Sequence, residues 1–116
     1  MGTFTVSMQV GNPEGREFVE VEALVDTGAS HTLLPREVLT DLGVEALERV
    51  SFQLADERIV EYDVGEARIR VDGRERTTLV VFGPAGAQPL LGATTLQLFN
   101  LAVDPVSERL CPCAVC

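Results

Sequence analysis

The sequence predicts a mostly β domain, largely antiparallel and closed or sandwiched, with two short helices. Three observations carry that prediction. Apolar and polar residues alternate with a period of two along most segments, as half-buried strands require. Gly, Pro, Asn and Asp interrupt those segments at short intervals, as turns require. Only two stretches carry helix start and stop chemistry. With 116 residues and 46% hydrophobic content, the chain reads as one domain over 1–116, with a modest core and no linker.

Phe4, Val6, Met8 and Val10 alternate with Thr5, Ser7 and Gln9, which makes 3–10 a strand. The breakers Gly11-Asn12-Pro13-Glu14-Gly15 turn the chain, and Phe18 to Val25 returns with Glu20 and Glu22 facing out. This hairpin delivers the chain to Asp26. Thr32-Leu33-Leu34 is a short strand, and Pro35, with its fixed φ, starts a helix to about Leu42 that Gly43 stops. Val50, Phe52 and Leu54, then Ile59, Val60 and Tyr62, flank the polar Ala55-Asp56-Glu57-Arg58: a projecting hairpin with the form of a lid. Ala67, Ile69 and Val71 precede Asp72-Gly73, a strong two-residue turn signal, and Thr77 to Phe82 returns. Beyond the loop Gly83–Ala87, Leu90-Leu91-Gly92 leads into a two-turn helix over Ala93–Phe99, closed by Asn100 as a left-handed cap. Leu101-Ala102-Val103 is the last short strand, for a total of about seven.

Charge narrows the partners. The net charge is -9, from 18 acidic residues against nine basic ones, all of them Arg. Arg68, Arg70, Arg74 and Arg76 crowd one hairpin but alternate with other residues as a solvated strand face does, so no nucleic-acid partner is expected. No run approaches a membrane span, and Met1-Gly2-Thr3-Phe4 has neither a basic nor an apolar leader region, so the expectation is a cytoplasmic protein without a membrane partner. Cys111, Cys113 and Cys116 all fall in the last six residues, unlike a disulfide framework. Zinc held by these thiolates and His31 is the sharper reading; a mobile, reduced Cys-rich tail over 110–116 is the plainer one and is preferred, because weighty zinc spacings come as two separated pairs. No metal and no cofactor are expected.

The chemistry centres on "ALVDTGASHTLLP". Asp26-Thr27-Gly28 alone is a weak signal, since the triplet arises by chance as a turn. Here a buried strand precedes it, small residues Ala29 and Ser30 follow it, and Leu90-Leu91-Gly92 recurs far downstream before a helix. With "LADERIVE" and "PLLGATTLQLFNLAVDP" in this order and separation, the chain resembles a retropepsin-type aspartic protease, most closely the small bacterial members, over nearly its whole length. The resemblance implies a closed acid-protease β-barrel with one or two short helices and half of an active site per chain. A homodimer would bring two Asp26 carboxylates together, one ionised and one protonated, to activate water against the peptide bond of an extended substrate. Gly28 would turn its N–H toward the carboxylate, Thr27 would reach across the dimer axis, and Ser30 would donate to the outer oxygen of Asp26. Leu90, Leu91 and Gly92 would cross beneath the loop in support, and Ala55, Asp56, Glu57 and Arg58 would form the flap tip.

Two features depart from that pattern. The viral relatives carry a glycine-rich flap tip, whereas this one is charged and lacks Gly, which implies a stiffer and more polar flap. Ser107–Cys116 gives no counterpart to the C-terminal strand of the viral dimer, so dimerisation is expected to use Thr3–Val10 or another edge. His31 has no part in the implied mechanism and is expected to fill a polar-edge or packing role. The alternative function is a non-catalytic peptide-binding or dimerisation module on the same fold.

Overall fold

The computed structural model describes residues 4–54 and 56–112. It contains nine strands and two helices: β1 (Thr5–Gly11), β2 (Phe18–Val25), β3 (Thr32–Pro35), α1 (Arg36–Asp41), β4 (Ala46–Gln53), β5 (Ile59–Val71), β6 (Arg74–Gly83), β7 (Leu90–Leu91), α2 (Ala93–Leu98), β8 (Leu101–Asp104) and β9 (Arg109–Pro112).

The predicted hairpins form as read. β1 and β2 pair antiparallel from Thr5↔Leu24 to Gly11↔Phe18. β5 and β6 pair from Val64↔Val81 to Val71↔Arg74, around a turn in which Asp72 and Gly73 both take positive φ. That is the two-residue turn whose twist matches the flanking strands. Seven strands form one sheet in the order β1-β2-β7-β3-β6-β5-β4, and pairing of Gln9–Gly11 with Arg68–Arg70 closes it into a ring. Closure removes the edges that an open sheet would expose, which fits the closed barrel the sequence implied. β4 stays outside the ring and projects with the first half of β5. β8 and β9 form a separate two-stranded sheet.

Inside the ring lie Met8, Val10, Leu34, Ile69, Val80 and Leu91, joined by Leu39 from α1 and Phe99 beyond α2, each at most 2% exposed. The alternation read in β1 is the cause: Met8 and Val10 turn inward while Ser7 and Gln9 do not. Asn100 takes the left-handed conformation predicted for the α2 cap.

Several expectations need correction. β5 is one continuous strand of 13 residues, where the sequence suggested two, because Asp63 to Glu66 keep the ladder going between the apolar runs. Pro35 ends β3 in an extended conformation, ψ 136°, and the helix begins at Arg36; Pro35 therefore stands at the cap rather than inside the first turn. The Cys-rich tail is not loose where it is described. Leu110 and Cys111 are buried in β9, paired to Val103 and Ala102 of the same chain, so part of the tail is a strand of this fold. Cys111 is disulfide-bonded, which overturns the reduced state expected there; Cys113 and Cys116 lie outside the described residues. Residues Gln9–Gly11 are paired on both sides and offer no free edge for dimerisation, and Thr3 is outside the described residues. Among the described residues no helix is long and apolar enough to cross a membrane.

Candidate active site

Asp26 follows the last residue of β2 directly, so the strand fixes where the loop starts. Val25 pairs with Leu91 of β7, and the Asp26 N–H donates to the Leu91 carbonyl at 3.1 Å. The loop then closes on itself: Ala29 N–H donates to the Asp26 carbonyl at 3.2 Å, and Gly28 N–H donates to Asp26 Oδ1 at 2.9 Å. A backbone donor at that position fixes the carboxylate's rotamer. Asp26 is half-buried, while Thr27 and Gly28 are exposed. The loop thus leaves Asp26 partly and Thr27 largely open to solvent.

Leu90, Leu91 and Gly92 lie against this loop. β7 lies between β2 and β3, parallel to the first and antiparallel to the second. Gly92 then runs so close to the loop that a Cβ there would stand 2.4 Å from the His31 carbonyl oxygen and 3.0 Å from that of Ala29. Only glycine allows that approach. From this contact the start of α2 grips the loop, Ala93 N–H donating to the Ala29 carbonyl at 2.8 Å and Thr94 N–H to that of Ser30 at 3.1 Å.

Three supporting residues escaped the sequence reading. Thr32 Oγ1 accepts from Gly92 N–H at 3.1 Å and lies 2.6 Å from Thr95 Oγ1, which is itself 3.4 Å from Thr78 Oγ1. All three threonines are buried, so this chain of hydroxyls satisfies groups that water cannot reach. No sequence signal joins them, since 63 residues separate Thr32 from Thr95.

Ser30 does not act as expected. Its hydroxyl lies 3.1 Å from His31 Nδ1, and the donor seen at Asp26 is the Gly28 amide. His31 in turn meets Phe52 of β4 edge-on, with ring centroids 5.4 Å apart and planes at 80°, and Phe52 meets Tyr62 of β5 at 6.1 Å. These three rings link the loop to the projecting hairpin.

The hairpin tip is charged and tightly hydrogen-bonded. Leu54 N–H donates to the Arg58 carbonyl at 2.8 Å, and Glu57 N–H donates to that of Leu54 at 2.9 Å. Asp56 accepts from both the amide and the Nε of Arg58, the latter at 2.7 Å. Glu57 takes φ 69°, the left-handed conformation that glycine adopts without strain, at a cost of about 1–2 kcal/mol. Ala55, the fourth expected tip residue, lies outside the described residues.

Between loop and hairpin a cavity of about 230 Å³ opens, lined by residues 28–31 of the loop, by Phe52, Gln53, Leu54 and Tyr62 of the hairpin, and by Leu33, Val81 and Leu90. Three larger clefts, of about 460, 510 and 380 Å³, lie elsewhere. None touches the Asp26 loop, and the walls of the first two carry mutually paired charges: Arg70 with Glu75 in one, Arg49 with Glu61 and Asp63 in the other.

A closed β ring that holds one carboxylate on a glycine loop, with a projecting hairpin and an apolar cavity nearby, is an architecture of the aspartic-protease class. The sequence model of the family described as "gag-polyprotein putative aspartyl protease" matches residues 16–98, and the chain belongs to that family. Among solved structures it is similar to the EIAV protease in complex with the inhibitor HBY-793, at 20% identity and TM-score 0.58, over 84% of this chain and 88% of that one. The simian foamy virus (mac) protease matches at 18% identity and TM-score 0.56, over 81% and 94%. A retropepsin-like aspartic protease from Rickettsia conorii matches at 21% identity and TM-score 0.51, over 90% and 89%. These likenesses establish the retropepsin-like fold. No curated protein matches the chain in sequence.

Proposed function

We propose that the chain is an aspartic endopeptidase that works as a homodimer, with Asp26 as its catalytic residue and extended peptides as substrates. The observation that carries this reading is the Asp26 carboxylate, fixed by the Gly28 amide on an outward-facing loop that β7 and α2 hold rigidly from behind. One carboxylate cannot act as base and acid at once. Two copies facing each other supply both, because adjacent carboxylates share a proton and titrate as a pair, as the aspartic proteases themselves exemplify.

In the reaction, the ionised Asp26 takes a proton from water as its oxygen attacks the peptide carbonyl carbon, and the protonated Asp26 of the second copy donates to the carbonyl oxygen. Collapse of the tetrahedral diol returns a proton to the nitrogen and breaks the C–N bond. The β4–β5 hairpin would cover an extended peptide and bind its main chain, while the apolar cavity receives a side chain.

Asp26→Asn tests the proposal. It should abolish cleavage of an unfolded or peptide substrate while folding and the dimer, read by sedimentation, persist. Cleavage that survived would remove Asp26 from the mechanism; a monomer at every concentration would favour a non-catalytic peptide-binding module.

A further inference from the structure

We propose that His31 determines side-chain specificity by charge: when the imidazole is protonated, the cavity beside the Asp26 loop takes a carboxylate side chain of the substrate. This deepens, and rests on, the reading of that cleft as a peptide site.

The cavity, at about 230 Å³, is smaller than the roughly 300–1,000 Å³ of small-molecule sites, and so suits one side chain of a longer ligand. Its walls are apolar: Leu33 from β3, Phe52 and Leu54 from the hairpin, Val81 from β6 and Leu90 from β7. Gln53 brings an amide from β4, and among the described residues Tyr62 from β5 is the one other titratable side chain in the lining. No carboxylate lines the cavity among the described residues; Asp26 stands earlier on the same loop, outside the lining.

His31 is held for this task. Its ring is fixed edge-on by Phe52, and Nδ1 lies 3.1 Å from the Ser30 hydroxyl, which can donate to the neutral ring or accept from the charged one. Protonation therefore requires no rearrangement, yet it leaves a cation without a countercharge in the lining. An incoming carboxylate supplies that countercharge and makes a charge-assisted hydrogen bond.

The test uses extended apolar peptides in which each position in turn is Glu or its uncharged isostere Gln, with kcat/KM measured at pH 5.5 and pH 8. The ratio of the two peptides cancels the pH dependence of catalysis itself. At one position the Glu:Gln ratio should fall about tenfold as pH rises, and should be flat in His31→Gln. The same ratio is measured as binding to the Asp26→Asn protein, which needs no turnover. A ratio independent of pH at every position, a dependence that persists in His31→Gln, or absence of peptide binding overturns the proposal. A pH-dependent binding ratio without cleavage by the unaltered protein supports the role of His31 and overturns the peptidase reading instead.

Discussion

Gly92→Ala places a Cβ 2.4 Å from the His31 carbonyl oxygen and 2.5 Å from its carbon, about 1 Å inside the 3.4 Å at which ordinary van der Waals contact begins. The neighbour is backbone, so no side-chain rotation relieves it. Either the Asp26 loop moves away from α2 or the start of α2 moves away from the loop. Overpacking of this kind costs about 1–3 kcal/mol. The same displacement stretches the bonds from Ala93 and Thr94 to the Ala29 and Ser30 carbonyls, each worth about 0.5–1.5 kcal/mol net. The expected loss is about 3 kcal/mol, or roughly 12 °C in melting temperature for a domain of this size. Because the moved segment carries Asp26, kcat/KM should fall by about a hundredfold in the fraction that remains folded. Denaturant unfolding at fixed protein concentration and a peptide-cleavage assay measure the two effects. A variant within about 0.5 kcal/mol of wild type and equally active would refute the claim that this close approach holds the loop.

The other predictions concern the supporting network and pH. Thr32→Val leaves the Gly92 N–H without its acceptor in a buried site, and should cost about 1–3 kcal/mol in urea unfolding, with a smaller loss for Thr95→Val. Hydrogen bonds from Arg68 and then Arg70 hold the Glu75 carboxyl below its usual 4.5. A lowered folded-state value stabilises the fold above the unfolded value and loses that contribution as pH falls through the folded one. Thermal unfolding followed below pH 4.5 should therefore show a steeper acid decline in the wild type than in Glu75→Gln.

Much of this protein was legible because its signals are local. Alternation over 3–10 sets which side of β1 is buried, and Asp72-Gly73 sets a hairpin turn whatever surrounds it. The loop Asp26-Thr27-Gly28 follows a buried strand, and that order in the sequence already places a carboxylate at a strand end. The short strand β9 was not legible, since Arg109–Pro112 is too brief to show a period and is stabilised only by pairing with β8. The continuity of β5 was hidden for a related reason: the apolar runs Ile59–Tyr62 and Ala67–Val71 read as parts of two hairpins, yet the backbone of Asp63 to Glu66 keeps the ladder between them.

The sequence by itself determined the β class, the hairpins, the catalytic candidate and its glycine turn, because each depends on residues within a few positions of one another. The resemblance already implied Leu90, Leu91 and Gly92 beneath that turn, but only the tertiary structure gave the contacts that hold it. Gly92 and the start of α2 close on the loop from more than 60 positions downstream, Thr32 and Thr95 meet in the core, and His31 finds Phe52 on a different hairpin. Closing the sheet into a ring creates those contacts, and a contact made by closure leaves no mark on the local pattern of either segment.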